Sequence, residues 1–197
     1  MFIDYVTLLL INMTAGYLLL AYFVFAGLDD PDQSKWAPGF LMIGAVAVVF
    51  GGLMTVTWPL PGAYGAAYGE MSILLGIIFL GAGLAMAKGW QLFTVACYAF
   101  FAGLAAVLIG VRVIQLRLTL MPLVSGIGFI LSGLGGVLAA PTLAYLRSNR
   151  PFRALASLVL AVAGLIWAFT AYGAYWQHMD SFAEWVPPIA RATTGQP

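Results

Sequence analysis

A chain of 197 residues that is 63% hydrophobic and only 8% charged has too little polar surface to cover a water-soluble fold, where charged residues supply about a quarter. Its formal charge of +1 gives no reason to expect nucleic acid or an acidic partner. The lone cysteine, Cys97, excludes an internal disulfide.

The N-terminus lacks a basic stretch, with Asp4 its only charge and Lys35 the first Lys or Arg, so the first apolar segment is expected to remain in the mature protein. Charge-free intervals long enough to cross a bilayer then define about six helices. Tyr5 to Leu28 is the first, ended by Asp29, Asp30, Pro31 and Asp32. Pro38 opens the second, which runs to about Thr57 and breaks at Trp58-Pro-Leu-Pro-Gly62. Met71 to Ala87 forms the third, Trp90 to Ile114 the fourth, and Met121 to Leu146 the fifth, with Pro141 kinking its last turns. Phe152 to Trp176 is the sixth. The reading is an all-α integral membrane protein, with 1–177 as the six-helix domain and 178–197 as an interfacial or flexible tail. In that tail Ser181 and Glu184 have capping-box spacing and predict a short surface helix.

Small residues recur at helical spacing, as Gly81, Ala85 and Gly89, and again as Gly128, Ser132 and Gly136. Such ridges let helices approach closely where lipid removes the hydrophobic effect, chiefly within one bundle and otherwise against another subunit. Residues Gly76, Ile77, Phe79, Gly83 and Leu84 are echoed fifty positions on by Gly126, Ile127, Phe129, Gly133 and Leu134, as a duplicated hairpin would produce. Lys35, Lys88, Arg147, Arg150 and Arg153 lie on one side of the predicted bundle. Arg112, Arg117 and Arg191 lie on the other, which orients both termini outside the cytoplasm.

Counting ligands removes most membrane chemistries. The single histidine, His178, excludes a bis-histidine haem, both lysines sit at helix ends, and no carboxylate lies at mid-depth to couple a proton. Asn12 is the deepest strongly polar side chain in this reading. No catalytic constellation and no cofactor are expected. What remains is the face shared by the termini and the second and fourth loops. There Trp58, Tyr64, Tyr68, Glu70 and Arg112 form a candidate ligand site, with a Glu70–Arg112 ion pair pinning the loop and Pro61-Gly62 in a type II turn. His178, Asp180 and Glu184 are suitable in type as metal ligands, with Asp4 or Glu70 beside them. On the opposite face Arg147, Arg150 and Arg153 could hold a lipid headgroup.

Trp58-Pro-Leu-Pro-Gly-Ala-Tyr64, Gly69-Glu70, Ala87-Lys-Gly-Trp90 and Trp167-Ala-Phe-Thr170 to Tyr175-Trp176 together resemble a prokaryotic six-helix membrane-protein family of unknown function, of the domain of unknown function 981 type. The resemblance covers nearly the whole chain. It implies the fold and a prokaryotic membrane location but no reaction, cofactor or partner. The family commonly has an asparagine after the loop tyrosine, where this chain has Gly65. Three roles follow, in descending expectation. The first is a non-catalytic accessory or packing subunit of a larger membrane complex, its partners being the bilayer and other subunits or copies. The second is a carrier or channel for a small, weakly polar solute, and the third is an enzyme or sensor using the outer-face polar set.

Overall fold

The structure, a computed structural model, describes residues 4–183 and 185. Six helices cross the bundle: α1 (Tyr5–Ala26), α2 (Ala37–Thr57), α3 (Met71–Lys88), α4 (Phe93–Leu116), α5 (Pro122–Pro141) and α6 (Arg150–Phe182). All are long and apolar enough to span a membrane, and this is a multi-pass membrane protein.

Local chemistry sets the ends. The Asp4 carboxylate accepts from the Thr7 amide at 3.4 Å and starts α1, while Asn149 accepts from the Phe152 amide at 3.0 Å and starts α6. Trp58 closes α2 in the left-handed region at φ 42°, and Gly89 closes α3 at φ 68°. Gly62, at φ 64°, has the backbone that the third position of a type II turn requires. Pro141 has no amide hydrogen to continue the helical ladder, and the chain passes there into a π-helical turn, Thr142–Leu146. A second π-helical turn, Gly65–Glu70, leads into α3.

One sequence expectation fails at the C-terminus. Helix α6 does not stop at Trp176 but continues to Phe182, and Ser181 lies inside it with its hydroxyl donating to the Gln177 carbonyl at 3.0 Å. Ser181 therefore does not cap a new helix. Its supposed partner Glu184, with the tail from Val186 onward, lies outside the described residues.

The helices pack chiefly in three pairs, α1 on α6, α2 on α3 and α4 on α5. A Cβ built on Gly44 would lie 2.8 Å from the Gly76 carbonyl oxygen, and one on Gly103 only 2.5 Å from that of Gly133. Any side chain at these crossings would push the helices apart. Of the two ridges, Gly128 packs on Trp167 and Gly136 on the Ala99 carbonyl, whereas Gly81 is only loosely packed and Gly89 faces open space. The fifty-residue echo has a structural counterpart. Gly76 packs on α2 and Gly126 on α4, while Phe79 and Phe129 are both buried. Outward-facing side chains such as Met42, Phe101, Leu108, Leu165 and Phe169 are exposed and form the lipid-facing belt.

One face of the bundle carries Asp4, residues 58–64, residues 117–121 and the end of α6. We call it the Asp4 face. The opposite, Arg153 face carries residues 27–36, 89–92 and 147–149.

Candidate functional site

Of the five residues proposed for the outer-face site, three are brought together. The Tyr64 hydroxyl donates to the Leu118 carbonyl at 2.5 Å, tying the second loop to the fourth. Tyr64 stacks on Tyr68 with ring centroids 6.2 Å apart, and Tyr68 is buried against Phe129 at 5.4 Å. The Trp58 indole lies over Gly65, where an added Cβ would meet the ring at 2.7 Å. A side chain at this position would have to displace the indole.

Glu70 and Arg112 do not join this group. Arg112 is exposed and donates to Gln115 Oε1 at 2.9 Å, one turn along its own helix, and no ion pair links Glu70 to a cation among the described residues. Both side chains are exposed on the protein surface, so neither is buried in the bundle where it would need the other as a partner.

The supposed metal ligands do not converge either. His178 and Asp180 lie two residues apart on α6 and so project about 200° apart around its axis. Glu184 is outside the described residues, and among those described no group of three His, Cys, Asp or Glu side chains could hold a metal. His178 instead meets Asp4, Nδ1 to Oδ2 at 2.5 Å, with the Thr7 hydroxyl at 3.3 Å. On the Arg153 face, Arg153 is buried. It donates to the Val24, Phe25 and Arg147 carbonyls and to the Asp29 carboxylate, which takes it out of reach of a lipid headgroup. Arg147 is exposed but donates to the Leu28 carbonyl at 2.5 Å, while Arg150 stays exposed beside a recess of about 240 Å³.

A large concavity lies between the helices. A cavity of about 290 Å³ is lined by α1 and α3 through α6, with Phe40 reaching it from α2. Along α1 it runs from Met13 to Leu28, about 22 Å at 1.5 Å per residue. Its inner end reaches the Arg153 face at Leu28, Leu92 and Leu143. Toward the Asp4 face it stops at a packed layer in which Tyr68, Phe129 and Trp167 form a chain of rings, the last two 5.0 Å apart.

The cavity wall carries no charged side chain, and its only hydroxyls are those of Tyr17, Ser132 and Thr142. Thr142 donates to the Leu138 carbonyl at 2.6 Å. Ser132 accepts from the Trp167 indole N–H at 3.0 Å, and Tyr17 lies against Ser132. Tyr17, Ser132 and Trp167 come from the middles of α1, α5 and α6, deeper than Asn12, which is spent on the Ile43 carbonyl of α2 at 2.9 Å. Sequence reading missed them because Ser132 reads as one member of a small-residue ridge. The available signal was the mid-helix depth shared by three polar-tipped residues.

The family model described as "Protein of unknown function (DUF981)" matches residues 1–181, and the chain belongs to that family. No curated protein matches it. Among solved structures it is similar to the Helicobacter pylori urea channel in its closed state, determined by cryo-electron microscopy, at a TM-score of 0.68 and 14% identity. The match covers 91% of this chain and 99% of that one. At that identity the likeness establishes the fold.

Proposed function

We propose that the bundle is a passage for small, neutral, weakly polar solutes, seen with its Asp4 end shut. The observation that carries this reading is the central cavity, which follows α1 for most of its length and has no charged wall. An ion entering it would lose its hydration with nothing to replace it, whereas a neutral solute loses far less. The shared fold with a channel closed in its own structure adds support, and urea belongs among the solutes to be tried.

The accessory-subunit reading leaned on the small-residue ridges, and the closest glycine crossings are used inside the chain. Self-association remains compatible with a passage, since the exposed apolar belt can meet lipid or a second copy. For orientation we retain the Asp4 face outside the cytoplasm, supported by the basic residues gathered on the Arg153 face. Arg150, exposed at its recess, supports a headgroup contact on the cytoplasmic side.

Reconstitution tests the passage directly. Vesicles containing the purified protein should equilibrate urea, acetamide or glycerol several-fold faster than protein-free vesicles in a light-scattering assay, and Phe129→Ala should raise the rate further by thinning the aromatic layer. Rates equal to those of protein-free vesicles for every solute, with wild type and variant alike, would remove the proposal.

A further inference from the structure

We infer that Tyr17 and Ser132 present one unspent hydrogen-bond donor to the cavity, and that this donor favours small neutral solutes bearing a strong acceptor oxygen, of the amide and urea-like class. The inference rests on the passage reading and deepens it by naming what the wall selects.

Counting hydrogens gives the result. Tyr17, Ser132 and Trp167 each bring one polar hydrogen. The Trp167 hydrogen is used on Ser132 Oγ. The Tyr17 hydroxyl faces that of Ser132, and a bond between them uses one of their two O–H groups, whichever donates. The other is left over. A spare hydroxyl in a helix ordinarily turns to the carbonyl four residues back, as Thr14, Thr55, Thr142 and Thr170 do here. Ser132 makes no such bond among the described residues, its hydroxyl accepting from the Trp167 indole and facing that of Tyr17.

Burial turns the leftover hydrogen into a recognition element. Tyr17 is 6% exposed and Ser132 5%, so bulk water does not satisfy them. Both border the cavity, while Trp167 does not. An unpaired buried donor is costly, and a guest that supplies an acceptor recovers that cost. Lone pairs on the same two oxygens remain available for an amide N–H, which suits a guest carrying both groups. The uncharged wall around them excludes carboxylates and ammonium ions.

Redundancy makes the test sharp. Tyr17→Phe leaves the Ser132 hydroxyl hydrogen free, and Ser132→Ala leaves that of Tyr17, so each single variant keeps a donor on the wall. Only the double variant removes both. We would measure the protein-dependent permeability of vesicles to acetamide and to thioacetamide, whose sulfur is a much weaker acceptor. Wild type and both single variants should prefer acetamide, and in the double variant that preference should fall about fivefold, the equivalent of one net hydrogen bond.

Ser132→Ala already orphans the Trp167 N–H, so it is the matched control for any cost in folding, with monodispersity in detergent checked for both. A preference unchanged in the double variant, or abolished by one single substitution, overturns the inference while the passage stands. Absence of protein-dependent flux for either solute overturns the passage reading and this inference with it.

Discussion

The pair α1–α6 is fastened at both ends, and by opposite means. On the Arg153 face a guanidinium with only 4% of its side chain exposed reaches three carbonyls and one carboxylate. On the Asp4 face a carboxylate 20% exposed meets an imidazole 36% exposed. Helix polarity accounts for the choice of charge. The C-terminal end of α1 leaves carbonyls without partners and a partial negative charge, which a donor-only cation satisfies, and the N-terminal end calls for an acceptor. The difference in burial has a mechanical consequence. The cavity extends to the face of the dry end, and the aromatic layer lies toward the wet end. Local opening is expected where contacts are solvated, so the moving parts of a passage should belong to the Asp4 face.

The largest expected effect comes from breaking the dry end. Arg153→Met keeps an unbranched apolar stem but leaves the Val24 and Phe25 carbonyls unpaired beneath the surface. Removing one partner of a buried charged network costs about 3 kcal/mol. Thermal unfolding in detergent should therefore show a large loss. A loss smaller than that of the His178 variant below would reverse the ranking of the two ends.

At the wet end His178→Ala should cost no more than about 1 kcal/mol, the range of solvated ion pairs. Its effect should be local. Hydrogen exchange should quicken in the first turn of α1, where Asp4 and Thr7 lose their partner, and remain unchanged around Val24 and Phe25. Exchange that quickens equally at both ends would mean that α1 and α6 separate as one unit, and the contrast between the faces would collapse.

This contrast also marks what could be read in the sequence. Six helices followed from charge-free intervals because a bilayer admits few other solutions, and even the disturbance at Pro141 followed from a missing amide hydrogen. The site did not follow. Glu70 and Arg112 were expected to pair, but both are exposed and unpaired with each other, and exposure cannot be deduced from distance to a helix end. Arg153 shows the converse error. It read as one of three interchangeable surface cations, whereas the crossing of α1 and α6 turns its side chain inward. The cavity was the least legible feature. Its wall is built of ordinary Leu, Ala, Phe and Gly residues, and only the packing of the helices around it reveals that the space between them is left unfilled.

The smallest effect sharpens the comparison by asking how the Arg153 face responds to acid. Asp30, in the loop between α1 and α2 on the Arg153 face, accepts from the Trp36 indole at 2.8 Å and from Lys35 Nζ at 3.0 Å. Those two donors, the indole first, hold its carboxyl below the ordinary 3.8. The sign follows from linkage. A carboxyl whose folded value is depressed contributes stability that is fully present above its unfolded value and is lost as pH falls through the folded one. Asp30→Ala should thus lower stability by a constant, small amount from pH 5 upward, and the gap from wild type should close only below pH 3.8. The contribution is modest because Lys35 is well exposed, its side chain 58% accessible. Stability measured against pH for both proteins decides the point. A gap that closes between pH 5 and pH 7 would show that this clasp is not governed by the Asp30 carboxyl.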